Sequence, residues 1–125
     1  MEIDRFGIIL NVENFDDCVS FYKSLFGLKE MFIKRNGDFR LTCLEYGSAY
    51  LMIETGGIAS ETEKTILQSS AVLRFHVEDT QVIMDLVLQH DKTSRRIETD
   101  WGYIIRCNDP DGNPISIRES VGFEG

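Results

Sequence analysis

The sequence predicts an α+β fold in which a single domain is built from two βαβββ halves. Its 125 residues suit one domain of ordinary size. The stretch from Ile8 to Asn14 (IILNVEN) aligns with the stretch from Leu73 to Asp79 (LRFHVED) at a constant offset of 65 residues. Both stretches have the pattern of a strand that ends at a helix-capping residue, and such a repeat indicates a repeated structural unit. We expect the halves to span about residues 1–56 and 70–121, joined by a Gly-, Ser-, Thr- and Glu-rich linker at 57–69.

A predicted amphipathic helix follows each copy of the repeat. In the first, from Phe15 to Phe26, apolar residues recur at spacings of three and four, and Gly27 supplies a left-handed end. We expect the side chain of Asn14 to cap this helix and that of Asp79 to cap the second helix, from Thr80 to His90. The apolar stripes predicted to face the core are Phe15, Cys18, Val19, Tyr22, Leu25 and Phe26 in the first helix and Val82, Ile83, Leu86 and Val87 in the second.

Three short runs of strand-forming residues follow each helix, separated by Gly, Asp and Pro turn signals. The predicted strands are Lys29–Lys34, Phe39–Tyr46, Ala49–Glu54, Arg95–Glu98, Trp101–Asn108 and Pro114–Arg118. The segment from Asp109 to Asn113 (DPDGN) is predicted to be a tight turn, because proline restricts one backbone angle and glycine allows a positive one. A calcium loop is the alternative, but an EF-hand needs further acidic ligands at set offsets, and a proline is out of place there.

The composition restricts the partners and the location. The chain has 21 acidic and 13 basic residues and a net charge of -8, which would repel nucleic acid and anionic membranes and attract a cation. It has no run of eighteen apolar residues, and its first residues lack the pattern of a secretory signal. Cys18, Cys43 and Cys107 show no C-x-x-C spacing and are predicted to be buried thiols. We therefore expect a cytoplasmic protein with neither a nucleic-acid nor a membrane partner.

Motifs at both ends of the chain resemble those of the vicinal oxygen chelate superfamily, which includes glyoxalase I, extradiol dioxygenases and the fosfomycin and bleomycin resistance proteins. The segments 11–15 (NVENF), 21–22 (FY) and 25–28 (LFGL) resemble its opening, and 101–102 (WG), 109–113 (DPDGN) and 115–119 (ISIRE) resemble its ending. The resemblance implies the glyoxalase/bleomycin resistance fold, in which two βαβββ modules form a curved mixed sheet. It does not identify a reaction.

Enzymes of that superfamily hold a divalent metal with His, Gln and Glu side chains from both halves. Matching the motifs residue by residue places the four ligand positions at Gly7, Met52, Val72 and Ser116. None of these is an ordinary ligand for a hard divalent ion. The resemblance therefore implies no metal and no cofactor here, unless Glu54 or His76 contributes from a shifted register.

The alternation of side chains along strands predicts what lines the cavity instead. Residues predicted to pack under the helices are Leu10, Val12, Leu51, Ile53, Phe75, Val77, Ile115 and Ile117. Those of the opposite parity are Gly7, Ile9, Asn11, Tyr50, Met52, Glu54, Val72, Arg74, His76, Ser116 and Arg118. Such a mixture of apolar groups and sparse polar anchors is typical of small-molecule pockets.

Two charged or titratable residues of this lining have alternative interpretations. Arg74 lies among apolar residues, so it pairs with Glu54, meets an anionic group of a ligand, or faces an open cup. His76 acts as a general base or pairs with Glu54, or it is a strand-end histidine that bonds a neighbouring backbone group.

Trp101 and Tyr103 complete the predicted ligand-binding set. The Trp101-Gly102 pair resembles that of bleomycin resistance proteins, which lack the metal, dimerise and hold a planar cationic drug in grooves between subunits. Trp101 is then a stacking platform, and the alternative is a tryptophan that closes one end of the sheet. Tyr103 stands where such proteins often have a polar or basic residue, so the identity of the drug does not transfer.

These observations predict a metal-independent binding protein that sequesters a small, partly aromatic ligand in a cavity at a homodimer interface. The predicted ligand class includes cations. The predicted ligand-binding residues are Asn11, Tyr50, Met52, Glu54, Arg74, His76, Trp101, Tyr103, Ser116 and Arg118, with no catalytic residue assigned. The alternatives are a glyoxalase-like lyase or dioxygenase with relocated ligands, a metal-free isomerase that uses His76 and Glu54, and a regulatory or interaction module.

Overall fold

The first βαβββ half forms one four-stranded sheet with one helix. In the computed structural model, which describes residues 1–125, its elements are β1 (Gly7–Val12), α1 (Phe15–Phe26), β2 (Glu30–Asn36), β3 (Phe39–Tyr46) and β4 (Ala49–Thr55). The strand order is β1-β4-β3-β2, with β1 parallel to β4 and the other pairs antiparallel. This half lies within a compact unit of residues 1–59.

The second half repeats the arrangement within a compact unit of residues 60–125. Its elements are β5 (Leu73–Val77), α2 (Thr80–His90), β6 (Arg95–Thr99), β7 (Gly102–Asn108) and β8 (Pro114–Glu119). The strand order is β5-β8-β7-β6, again with the first and last strands parallel. The predicted α+β fold of two βαβββ halves is confirmed, and the eight strands are hydrogen-bonded as two separate mixed sheets.

Helix α1 has the predicted bounds but a different N-terminus in detail. Gly27 ends it in the left-handed conformation at φ 65°, as expected. The Asn14 side chain makes no capping hydrogen bond, so that part of the prediction is wrong. Acidic residues of the first turn still suit the positive helix end, and Asp16 accepts two hydrogen bonds from the Arg40 guanidinium at 2.9 and 3.2 Å. Arg40 holds the pKa of Asp16 below its ordinary value.

Helix α2 is capped as predicted but is rotated relative to the predicted stripe. Asp79 accepts a hydrogen bond from the Gln81 N–H at 2.9 Å. Val82 and Leu86 are exposed, whereas Thr80 and Val87 are fully buried. The buried line runs from position i to i+7, and the Thr80 hydroxyl is tolerated there because it donates to Glu119 at 2.7 Å.

The strand residues predicted to pack under the helices are buried or half-buried, but β8 is buried at both parities. In the first sheet Val12, Leu51 and Ile53 are fully buried, and in the second Ile115 and Ile117 are buried as well. Burying each such side chain contributes about 1.5–3 kcal/mol. These residues share a parity that places them on the face of each sheet that carries its helix. The opposite face, called here the helix-free face, carries the predicted lining.

The DPDGN segment is a turn whose polar groups are satisfied internally. The buried Asp109 carboxylate accepts hydrogen bonds from the N–H groups of Asp111 and Asn113 and from the Asn113 amide, each at 2.9 Å. The turn also anchors the start of the predicted linker, because Ser60 N–H donates to the Asp111 carbonyl and Lys64 N–H to the Gly112 carbonyl, both at 2.9 Å. The turn interpretation is supported over a calcium loop, because internal donors occupy both oxygens of Asp109.

All three cysteines are free and buried, as predicted. Burial, together with the negative charge of Asp91, raises the pKa of the Cys107 thiol to about 12. Burial also raises the pKa of the Cys43 thiol. Both sulfurs therefore remain protonated near neutral pH and behave as small apolar groups.

Neither helix has the length and apolar character that crossing a membrane requires.

A half-buried polar network joins α2 to two strands of the second sheet. Thr80 donates to Glu119 through its N–H at 3.0 Å and through its hydroxyl. The Arg96 Nε donates to the Thr80 hydroxyl at 2.8 Å, and an Arg96 terminal nitrogen lies 3.7 Å from Glu119. The bonds from Thr80 and, after them, the charge of Arg96 hold the pKa of Glu119 below its ordinary value.

We expect this network to make stability depend on pH in the acid range. Because the folded-state pKa of Glu119 is lowered, its contribution is complete above the unfolded value and is lost as pH falls through the folded value. Urea unfolding from neutral to acid pH should therefore show a smaller acid-induced loss in Glu119→Gln than in the wild type. An identical pH dependence in both proteins would contradict a lowered pKa. Asp16→Asn is the corresponding variant in the first half, because Arg40 holds the pKa of Asp16 below its ordinary value as well.

Candidate functional site

On the helix-free face of the first sheet, the predicted lining residues of β1 and β4 stand in register. Gly7 lies opposite Tyr50, Ile9 opposite Met52, and Asn11 opposite Glu54. On the other side of β4, the same register brings Glu45, Cys43 and Leu41 of β3 onto this face. Four predicted ligand-binding residues, Asn11, Tyr50, Met52 and Glu54, are thus brought together by two adjacent strands.

The ring of Tyr50 occupies the space over Gly7. A Cβ atom built at Gly7 would collide with three atoms of the ring, so no side chain fits at this position unless the ring moves. Gly7 is the position to which the motif comparison assigns the first metal ligand. The Tyr50 ring therefore fills the space that a side chain at position 7 would need.

The neighbouring positions combine soft and polar groups. Met52 presents a thioether between Ile9 and Cys43, and the Cys43 sulfur lies 3.9 Å from that of Met31. The Asn11 amide donates to the Thr55 carbonyl at 3.3 Å. Glu54 is half-buried beside Asn11. Aromatic, thioether and carboxylate groups on one surface suit a flat ligand that carries positive charge.

The helix-free face of the second sheet carries two rows of side chains that cross all four strands. The first row, called here the arginine row, reads Arg74, Ser116, Arg106 and Arg95 across β5, β8, β7 and β6. The second row reads His76, Arg118, Ile104 and Ile97. The structure thus brings together the predicted residues Arg74, His76, Ser116 and Arg118.

Two members of the arginine row, Arg95 and Arg106, were not predicted as site residues. They lie directly opposite each other on β6 and β7, the two strands of the hairpin that precedes the DPDGN turn. The period-two pattern alone leaves the face of these strands open until the register of β7 against β8 is known. In the structure, that register pairs Arg106 with Ser116. Aligning the two predicted strands across their connecting turn would have shown which face Arg106 occupies.

Ser116 is 2% exposed, and its Oγ has no hydrogen-bond partner. It is the one buried side-chain polar atom of the chain in that condition. Burying a hydroxyl without a partner costs about 1–3 kcal/mol. Ser116 is also the position to which the motif comparison assigns a metal ligand in the second half.

The second row is covered by the residues that follow β8. Arg118 donates through one terminal nitrogen to the carbonyls of Trp101, at 2.8 Å, and Val121, at 3.3 Å. The ring of Phe123 meets that of His76 edge to face, with 4.5 Å between centroids. A cleft of about 510 Å³ remains there, lined by His76 and residues 120 and 122–125. The guanidinium of Arg118 is therefore engaged by neighbouring backbone carbonyls, and the His76 ring packs against the ring of Phe123.

The two aromatic residues near β7 lie in different surroundings. Trp101, in the turn before β7, is 72% exposed, so the alternative of a tryptophan closing the end of the sheet is wrong. Tyr103 has the parity of Ile105, which places it on the face that carries α2. The guanidinium of Arg96 stacks on the Tyr103 ring, 3.7 Å from its centroid. Tyr103 therefore does not lie on the helix-free face, because the register of β7 against β6 and β8 puts it on the opposite face.

The residues present do not fit the divalent ion that the resemblance implies for the superfamily's enzymes. No group of three or more His, Cys, Asp or Glu side chains is placed to hold a metal. Gly7 lies under the Tyr50 ring, Val72 has no donor atom, and Met52 offers only a soft thioether.

Comparisons with known proteins give the fold. No protein-family profile matches the sequence, and no curated protein matches it. A glyoxylase/bleomycin resistance protein/dioxygenase domain from Frankia sp. EAN1pec is 14% identical, with 95% of this chain and 97% of that chain covered and a TM-score of 0.71. TnmS3, an antibiotic-binding protein from Streptomyces sp. CB03234, is 16% identical, with 95% and 98% covered and a TM-score of 0.66.

A third solved structure is an enzyme, the trypanothione-dependent glyoxalase I of Leishmania major. It is 19% identical, with 94% of this chain and 87% of that chain covered and a TM-score of 0.72. Binding proteins and enzymes thus share this chain's architecture. The predicted glyoxalase/bleomycin resistance fold is confirmed by these similarities, which do not identify a reaction.

Proposed function

We propose that this chain, which has the glyoxalase/bleomycin resistance/dioxygenase fold, binds a small organic molecule without a metal and so lowers the concentration of the free molecule. The observation that carries this proposal is the Tyr50 ring over Gly7, which places an aromatic platform where a ligand side chain for a metal would stand. The antibiotic-binding protein of the same fold provides the precedent for sequestration. The mechanism is removal of free ligand, and no bond is broken.

The chemistry of the first helix-free face suggests the ligand class. The Tyr50 ring and the Met52 thioether offer a polarizable surface for a flat ring, and Glu54 offers a counter-charge for a cation. Asn11, next to Glu54, supplies an amide that fixes orientation. We therefore assign a partly aromatic, cationic ligand to this face. The net charge of -8 favours the approach of such a ligand.

A homodimer completes the proposal. Three exposed apolar side chains of the first half have the parity of the helix-free face: Ile9, Phe32 and Phe39. An exposed sheet face buries a small ligand incompletely, and a second copy would cover both the ligand and these side chains. We place the dimer in the cytoplasm, where its three free thiols remain reduced.

The test is a titration of the purified protein with 9-aminoacridine, a planar aromatic cation, by isothermal calorimetry. We expect one site per chain, and binding about tenfold or more weaker in Tyr50→Leu, because an aromatic anchor is removed. Tyr46→Leu is the matched control, because Tyr46 lies on the same hairpin with the opposite parity, on the face that carries α1. Equal affinity in all three proteins would exclude Tyr50 as the platform.

The metal-dependent alternative predicts a different outcome in a parallel experiment. Thermal unfolding with Ni²⁺, Mn²⁺, Fe²⁺ or Zn²⁺ should show no stabilisation under this proposal, since Gly7 and Val72 offer no donor atoms. One tightly bound equivalent of any of these ions would favour a lyase or a dioxygenase with relocated ligands.

A further inference from the structure

We propose that the arginine row of the second sheet is a binding site for an oxyanion, the phosphate, phosphonate or carboxylate group of a small molecule. The contacting residues are Arg74, Ser116 and Arg106, which stand side by side on β5, β8 and β7. This inference goes beyond the proposed function, because it concerns the opposite charge and a different sheet.

The first argument is the placement of like charges. Side chains directly opposite each other on neighbouring strands have Cβ atoms about 4.5–5.5 Å apart, and like charges in such pairs destabilise a sheet. Arg95 and Arg106 form such a pair, and Arg74 lies on the same row beyond Ser116. The chain as a whole has an excess of acidic residues, so an abundance of arginine does not account for the row. A bound anion would relieve this repulsion.

The second argument is the state of Ser116. Its Oγ is buried at the centre of the row without a hydrogen-bond partner, between one arginine on each side. An alanine here would avoid the cost of burying an unpaired hydroxyl. A hydroxyl at this position is favourable when an acceptor comes to it, and an oxyanion supplies acceptors for the hydroxyl and both guanidinium groups at once.

One carboxylate, that of Glu63, already pairs with the arginine row, and the neighbouring Arg118 is engaged elsewhere. Glu63 lies 3.7 Å from a terminal nitrogen of Arg106, a longer separation than that of a close charge-assisted hydrogen bond. Arg118, on the adjacent row, directs its guanidinium to backbone carbonyls. Arg106 therefore retains donors for a second acceptor besides Glu63, because a guanidinium has five N–H groups.

The test uses inorganic phosphate and, separately, acetate, each added at constant ionic strength with chloride as the balancing ion. The readouts are calorimetric affinity and the Nε–Hε signals of Arg74 and Arg106 in ¹H–¹⁵N spectra of the wild type. We expect at least one of the two anions to saturate a single site and to shift both arginine signals. Phosphate alone would identify a tetrahedral group, and acetate binding would identify a carboxylate.

Variants identify the site. We expect about tenfold weaker anion binding in Arg74→Gln, because one charge-assisted contact is removed, and a smaller loss, about threefold or more, in Ser116→Ala. Arg35→Gln is the matched control, an exposed strand arginine of the first sheet, and should bind within about twofold of the wild type. Should a variant unfold, the arginine signals of the wild type still decide the question.

The proposal is overturned if neither anion binds more tightly than chloride, or if binding leaves both arginine signals in place. Undiminished binding in folded Arg74→Gln and Ser116→Ala would overturn it as well. Because phosphate and acetate have no aromatic ring, these results do not depend on 9-aminoacridine binding. Failure of one proposal is therefore distinguishable from failure of the other.

Discussion

Replacing Gly112 with alanine is expected to lower the free energy of unfolding by about 3–5 kcal/mol, one of the largest effects of any single substitution in this chain. Gly112 has φ +83°, a conformation that L side chains rarely adopt. A Cβ atom there would also lie 2.6 Å from the Thr62 carbonyl oxygen and 2.8 Å from that of Ser60. Both oxygens belong to the backbone, so the clash with the new Cβ atom is relieved only if residues 60–64 move away from the turn.

The control for this prediction is Gly47→Ala. Gly47 has φ +59°, and a Cβ atom added there meets nothing within 4 Å. It therefore carries the conformational cost alone, about 1 kcal/mol. Urea unfolding followed by circular dichroism measures both variants. Equal losses in the two would mean that the contact between residues 60–64 and the turn contributes nothing to stability.

Replacing Asp109 with alanine is expected to cost about 3 kcal/mol or more, for a different reason. The carboxylate is 4% exposed and accepts three hydrogen bonds from Asp111 and Asn113, two of them from backbone N–H groups. Alanine leaves these donors buried without an acceptor. Asp109→Asn should have a smaller effect, because it keeps one acceptor oxygen but presents an NH₂ group to the Asn113 amide.

The measurement is again the free energy of unfolding from urea titrations. Asp38→Ala is the control, an exposed acidic residue in the turn between β2 and β3, and should change stability by less than about 0.5 kcal/mol. A loss at Asp109 no larger than that at Asp38 would contradict the role of the buried carboxylate.

Both substitutions act on the turn that joins β7 to β8. The register that follows from this turn pairs Arg106 with Ser116 and thereby assembles the arginine row. The turn is therefore both a stability element and the feature that positions the proposed oxyanion site. Variants that loosen it without unfolding the chain should weaken anion binding in parallel with stability.

Features of the chain that depend on local chemistry were predictable from the sequence. Helix α1 begins at Phe15 and ends at Phe26, and α2 runs from Thr80 to His90, both as the spacing and the end signals predict. The alternation of apolar residues also identified Val12 and Ile53 as core positions. Hydrophobic period, turn residues and left-handed glycines act within a few residues, so a single sequence carries them.

The candidate site could be predicted only in part. The lining set of the first sheet, Asn11, Tyr50, Met52 and Glu54, lies on one face because strand parity decides it. Arg95 and Arg106 escaped prediction, and Tyr103, which was predicted to bind the ligand, lies on the face that carries α2. The face of a strand depends on its register against the next strand, and a shift of one residue reverses every side chain.

The sequence by itself determined the order of the elements, their approximate bounds, the repeat of the βαβββ unit and the lack of ordinary metal-ligand side chains at the four matched positions. Only the tertiary structure decided that the Tyr50 ring covers Gly7, that Trp101 is exposed, and that three arginines and an unpartnered Ser116 share one row. These features arise between residues far apart in the chain, where pairing register and packing, which no local pattern encodes, determine which side chains meet.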